Sequence, residues 1–111
     1  MNTITVTGRL THDPDRRTVT VGDDERSVTT LPLALDDHRR TDAPCFIDAV
    51  CWGGVAEACA SHLRKGRHVA VTGRLDLSRW TDEAGVRHQR HRIVATEVDF
   101  LDRPEPATSA A

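Results

Sequence analysis

Residues 45–77 read CFIDAVCWGGVAEACASHLRKGRHVAVTGRLDL, and the periodicity of the side chains changes twice along them. From Cys45 to Trp52 the chain alternates, with Cys45, Ile47, Ala49 and Cys51 on one side and Phe46, Asp48, Val50 and Trp52 on the other, which is the period of a β-strand. Gly53-Gly54 ends that pattern. Val55, Cys59 and Leu63 then recur at i, i+4 and i+8 with Ala56 and Ala60 beside them, so one short amphipathic helix is predicted. Gly66 reads as the residue just past its C-terminus, with Arg64 and Lys65 opposing the negative end of the dipole. Period two then returns: Val69, Val71, Leu75 and Leu77 alternate with Ala70, Thr72, Arg74, Asp76 and Ser78 in a long strand reaching Trp80.

Strand signals continue on both sides of this segment. Upstream, Thr3 to Leu10 places Ile4, Val6 and Leu10 on one face, and Asp13-Pro14 marks a turn. Arg17 to Val21 reads as a short ribbon, Gly22 to Glu25 as a polar turn, and Val28 to Leu35 as a strand whose Leu31, Leu33 and Leu35 face one way. Pro32 lacks a donor, which suggests an edge or a bulge. Asp36 to Pro44 holds nothing large and apolar and reads as a loop. Downstream, Thr81 to Gly85 forms a hairpin turn and Arg87 to Val98 returns as a strand. Phe100 is expected to pack against the barrel. The predicted fold is all-β: a five-stranded Greek-key OB-type barrel with one helix between the third and fourth main strands. Residues 1–101 form that domain, and residues 102–111 a short disordered tail.

Composition bounds the function. A chain of 111 residues has room for one domain. No apolar run approaches the length of a spanning helix, and Met1-Asn2-Thr3 opens no signal peptide, so no membrane association and a cytoplasmic location are expected. Three cysteines argue against a disulfide framework. Cys45 and Cys51, six positions apart in one strand, would sit about 20 Å from each other and cannot bridge. The odd-position parity places Cys45 and Cys51, and the helix stripe places Cys59, toward the core, where thiols are usually inert. Neither Cys-x-x-Cys nor a Cys/His pair at zinc spacing occurs, and His88 and His91 fall on opposite strand faces, so no metal or other cofactor is expected.

The net charge is −2, which by itself attracts no polyanion. Its distribution matters more. Residues 62–92 carry eight basic side chains (Arg64, Lys65, Arg67, Arg74, Arg79, Arg87, Arg90 and Arg92) against three acids, a balance of +5. Residues 10–48 carry nine acids and five arginines, a balance of −4. Positive potential therefore gathers on the last hairpin and the end of the helix. The aromatics agree with that surface. Phe46 and Trp52 share the strand face opposite Ile47, Ala49 and Cys51, and Trp80 stands at a hairpin tip beside Arg79. Exposed rings among arginines make a platform on which bases stack while guanidinium groups hold phosphates, at roughly 1–3 kcal/mol per stacked base.

At the level of motifs the chain resembles the bacterial single-stranded DNA-binding proteins. The resemblance rests on Asn2-x5-Gly8-x-Leu10-x2-Asp13-Pro14-x2-Arg17, on Cys45 through Gly53, on Leu63-Arg64-Lys65-Gly66, on Val69-x-Val71-x-Gly73-x-Leu75 and on Trp80-Thr81-Asp82-x2-Gly85. It implies base stacking by Phe46, Trp52 and Trp80, and backbone contacts from the first strand and last hairpin, here Arg9, Arg74, Arg79, Arg87 and Arg90. It also implies a homotetramer (or a dimer) that coats single-stranded DNA without reading sequence during replication, recombination or repair, associated with the nucleoid. Two departures stand out. His38-Arg39-Arg40 occupies a region where the family often has another stacking aromatic, which shifts affinity toward phosphate contacts. The family's acidic, Phe-terminated tip is not present in Pro104 to Ala111, so tail-mediated recruitment of repair proteins is not expected. Asp48, between two of the rings, repels phosphate unless an arginine pairs with it.

Two other classes fit the same barrel. An interaction module of the replication-restart (primosome) type would give the groove to a protein partner, in keeping with the thin aromatic set and the acidic first half. A nuclease would need carboxylates converging on a metal. Asp23, Asp24 and Glu25 are the densest acidic cluster, but they occupy a turn, and the chain is not expected to be an enzyme.

Overall fold

The computed structural model describes residues 1–36 and 45–102. Six strands and one helix follow in the order β1 (Ile4–Leu10), β2 (Asp15–Val21), β3 (Asp24–Leu35), β4 (Phe46–Trp52), α1 (Gly53–His62), β5 (His68–Thr81) and β6 (Arg87–Phe100). The sheet runs β1-β5-β6-β4-β3-β2, and a further β1–β3 pairing closes five of the strands into a ring. Among the described residues only the β4–β6 contact is parallel, at Asp48↔Arg92 through Val50↔Val94, because the helix and β5 intervene between those strands. This is the predicted Greek-key barrel of the OB type.

Closure depends on two glycines. A Cβ on Gly8 would stand 2.5 Å from the carbonyl oxygen of Ala34, where β1 turns onto β3. A Cβ on Gly73 would overlap the carbonyl oxygen of Val94, where the β5–β6 register shifts between Thr72 and Gly73. At both points one backbone lies against another, and there is no space for a side chain.

Leu10, Leu31, Leu33, Ala49, Cys51, Val69, Val71, Ile93 and Ala95 fill the barrel, and α1 closes one side with Ala56, Cys59 and the following Leu63. Each of the larger aliphatic side chains contributes roughly 1.5–3 kcal/mol by leaving water. Thr29, the buried polar residue, donates its hydroxyl to the Ala56 carbonyl at 2.8 Å and ties helix to strand.

Several local expectations change. The ribbon expected over residues 17–21 is a full seven-residue strand, β2, paired with β3 from Asp15↔Thr30 to Val21↔Asp24. Pro32 is neither at an edge nor in a bulge. It sits inside the sheet, where β3 exchanges β2, paired up to Thr30, for β1, paired from Leu33, so its missing N–H falls at a change of partner. Gly66 does not cap the helix, which ends at His62 with Leu63 as its C-terminal cap. With φ of 91° Gly66 instead occupies a turn closed by Arg67 N–H to Arg64 carbonyl at 3.1 Å. That turn docks on the end of β1: Gly66 N–H donates to Leu10, Leu10 N–H to Arg67, and Lys65 N–H to the Asp13 carboxylate.

Cys45 precedes β4 and is exposed, in contrast to the core position its parity suggests, whereas Cys51 and Cys59 are buried. The Cys45 carbonyl still accepts the Leu35 N–H at 2.9 Å, so Cys45 continues the pairing with β3 but stands beyond the reach of the core. Phe100 is 42% exposed, its ring tilted against His62 at 6.2 Å, and it is not part of the core. Asp102 accepts the His68 N–H at 2.9 Å and holds the chain against the barrel. The expectations placed on residues 37–44, including His38-Arg39-Arg40, and on residues 103–111 of the tail lie outside the described residues.

Candidate nucleic-acid interface

Strand register determines which side chains share a surface, since cross-strand partners project to the same side of a sheet. On β4 the outward side chains are Phe46, Asp48, Val50 and Trp52. On β3 beside them are Ala34, Pro32, Thr30 and Val28. On β6 they are Arg92 and Val94, continuing to Arg90 and His88, and on β5 Arg74, Asp76, Ser78 and Trp80. One outer face of the barrel thus carries all three candidate rings, with Phe46 64%, Trp52 42% and Trp80 45% exposed. Rings this open on a barrel with a complete aliphatic core are not part of its packing.

Beyond the barrel the β5–β6 ribbon becomes a two-stranded arm. Among the described residues β1 pairs with β5 up to Gly73 and β4 meets β6 at residues 92–94, so residues 77–81 and 87–91 have each other as strand partners. Asp82 builds the tip: its Oδ1 accepts the N–H groups of Ala84 and Val86, both at 2.9 Å, and its own N–H donates to the Val86 carbonyl. An open groove of about 640 Å³ crosses the arm, lined by Arg79, Trp80, Thr81, Arg87, His88 and Gln89.

The candidate arginines divide into three groups. Arg74 and Arg90 lie on the face of the rings. Arg79 and Arg87, partners of Gln89 and Thr81, project to the opposite side of the arm from Trp80 while still edging its groove. Arg9 stands in register with Ala34, itself opposite Phe46, and so lies two strands, about 10 Å, from that ring. Its guanidinium donates to the Gly66 carbonyl at 3.0 Å and faces Asp102 at 4.0 Å.

Two acids hold the basic side chains in place. Asp48, Arg92 and Asp76 form one row across β4, β6 and β5. Arg92 donates from Nε to Asp76 at 3.1 Å, Arg74 faces the same carboxylate at 3.8 Å, and Arg90 reaches Asp48 at 3.9 Å. The two carboxylates are about a third exposed and the arginines more so, and pairs this open to water are worth about 0–1 kcal/mol each, so they restrain the guanidinium groups only weakly against a competing anion. The residues that sequence reasoning missed as site residues are Arg92, Asp76 and His88. Arg92 was counted only as charge, and its place became visible once the parallel β4–β6 register set it beside Asp48.

His88 is the cross-strand partner of Trp80, and the two rings stack with centroids 5.3 Å apart and planes at 18°. Its Nε2 lies 2.7 Å from Asp82 Oδ2. The hydrogen bond with His88, followed by those from the turn amides, holds the Asp82 carboxyl below its ordinary range.

Comparison with known proteins gives a consistent picture. The profile described as the single-strand binding protein family matches residues 1–101. The chain is 40% identical over 109 residues to a single-stranded DNA-binding protein of Caldanaerobacter subterraneus, covering 92% of this chain and 69% of that one. It is 33% identical to the protein of the same name from Helicobacter hepaticus, covering 91% of this chain and 61% of the relative. For the Thermotoga maritima protein the identity is 34%, over 96% of this chain and 78% of that one. The chain therefore spans roughly three fifths to four fifths of the length of these relatives.

Proposed function

The chain belongs to the single-strand binding protein family, and on that premise we propose that it binds single-stranded DNA without catalysis and without reading base sequence. The observation that carries this reading is the common outer face holding Phe46, Trp52 and Trp80 among Arg74, Arg90 and Arg92. Each ring offers a flat surface to any base, which makes stacking indifferent to sequence, and the guanidinium groups follow the phosphates. Arg9, Arg79 and Arg87 extend that positive border along β1 and the far side of the arm. A duplex hides its base faces in the stack, so this surface prefers an open strand.

The assembly in this reading is a homotetramer of barrels, with a dimer as the smaller form, acting on single strands exposed during replication, recombination or repair at the nucleoid. Residues 1–101 act as the binding domain and residues 102–111 as a short tail. Its phosphate contacts make affinity fall with salt at a log–log slope near −0.7 per phosphate neutralised. The test is competition for the protein between an oligo-dT and a duplex of equal length at low salt. Preference for the single strand, reduced by Trp52→Ala, supports the reading. Equal affinity for the duplex defeats it, and undetectable binding to both would turn attention to a protein partner for the groove.

A further inference from the structure

Resting on the single-strand reading above, we propose that His88 is a positioning residue for Trp80: it covers one face of the indole and leaves the other as the stacking surface. Trp80 stands on an arm with solvent on both sides, where an isolated indole samples several rotamers and must give up that freedom to hold a base. His88 removes much of this cost before DNA arrives. Its ring lies nearly parallel to the indole at 5.3 Å, and it is the directly opposed residue across the strand pair. His88 is itself held, because its Nε2 contacts Asp82 Oδ2 at 2.7 Å. Asp82 is held in turn by the amides of Ala84 and Val86.

The hairpin turn thus fixes a carboxylate, the carboxylate fixes an imidazole, and the imidazole fixes the indole. A base entering the groove completes a three-layer stack of His88, Trp80 and nucleobase. The competing arrangement has His88 as a plug that a base must displace, and it predicts the opposite sign on removal.

The experiment measures oligo-dT affinity, at two salt concentrations, for the wild-type chain and for His88→Ala, His88→Phe, Trp80→Ala and the double variant Trp80→Ala/His88→Ala. His88→Ala is expected to weaken binding by about three- to tenfold, the scale of ordering one side chain, with an unchanged salt slope. His88→Phe, a flat ring that can stack but cannot pair with Asp82, should recover part of the loss, the remainder being the contribution of the Asp82 contact. In the Trp80→Ala background removal of His88 should have no further effect, since nothing remains to be positioned. Tighter binding by His88→Ala, a loss that persists without Trp80, or a His88→Phe variant as weak as His88→Ala overturns the proposal. If the wild-type chain fails to bind oligo-dT, the functional reading itself fails. If it binds and Trp80→Ala weakens it while His88→Ala does not, only the role of His88 is lost.

Discussion

Arg90 and Asp48 face each other at 3.9 Å across the parallel β4–β6 contact, which sets a carboxylate between two exposed rings and gives it a counter-charge. The acid that looked repulsive on a DNA-facing strand is thereby neutralised by a residue more than forty positions away. Exchanging it should be informative. Asp48→Asn frees Arg90 for a phosphate, so affinity for single-stranded DNA should rise at low salt and the log–log salt slope steepen by up to about 0.7. Thermal stability should hardly change, because an exposed pair of this kind contributes about 0–1 kcal/mol. Weaker binding by the Asn variant would mean that Asp48 orients Arg90 and does not restrain it.

Where β3 ends beside β1, His68 Nε2 lies 2.6 Å from Asp36 Oδ2. Hydrogen bonds with His68 and Thr7 hold the Asp36 carboxyl below its ordinary value of 3.8, against a smaller opposing effect of burial, and His68 and Arg9 add positive charge nearby. A carboxylate whose folded value is depressed stabilises the fold fully above the unfolded value and loses that contribution as pH falls through the folded one. Melting temperature should therefore be steady above pH 4 with respect to this group and drop below it. Asp36→Asn should melt lower near neutrality and show a shallower acid limb. An unchanged acid limb would contradict this assignment.

The glycines give contrasting predictions. Gly73→Ala forces a Cβ against the Val94 carbonyl and to 2.9 Å from the Ala95 Cα, both backbone positions that cannot step aside. Overpacking of this sort costs about 1–3 kcal/mol, which for a domain near this size lowers the melting temperature by several degrees. Gly54→Ala, in the first turn of α1 with no heavy atom within 4 Å of the new Cβ, should be neutral or stabilising by up to about 1 kcal/mol. Thermal melts should show a clear drop for Gly73→Ala and no drop for Gly54→Ala.

Thiol chemistry separates the cysteines. Cys45 is exposed, while Cys51 and Cys59 lie in the core. The hydrogen bond with Cys59, together with burial, pushes the Cys51 thiol well above its ordinary range. A thiol-specific chromogenic reagent should release one equivalent from the native protein and three after denaturation. Two fast equivalents without denaturant would place a second cysteine at the surface.

How far the residues alone could lead is clear from particular elements. β1, β4 and β5 were legible because each buries one face, and Leu10, Ala49, Cys51, Val69 and Val71 fall where alternation puts them, while β6 was legible as the return from a hairpin turn. β2 was only partly legible: apart from half-buried Val19 its residues are exposed on both sides, so hydrophobic period carried little signal. Cys45 and Gly66 failed for a shared reason, since parity and capping patterns do not say where a core or a helix stops. Phe46, Trp52 and Trp80 could be read as exposed from parity, whereas the separation of Arg79 and Arg87 from Trp80 required the β5–β6 register. His88 had a signal that went unused: once the turn is placed at residues 82–86, counting outward makes it the partner of Trp80. The pairings of Asp48 and Asp76 depend on strands brought together only by closure of the barrel.

The most direct test of the central claim is a titration of intrinsic tryptophan fluorescence with poly-dT at two salt concentrations, since Trp52 and Trp80 are the only tryptophans in the chain. Stacking of bases on both indoles should give strong, saturable quenching of defined stoichiometry, with the midpoint moving to higher poly-dT concentration as salt is raised. Unquenched emission at low salt, with the protein folded and poly-dT in excess, would show that these rings do not hold bases.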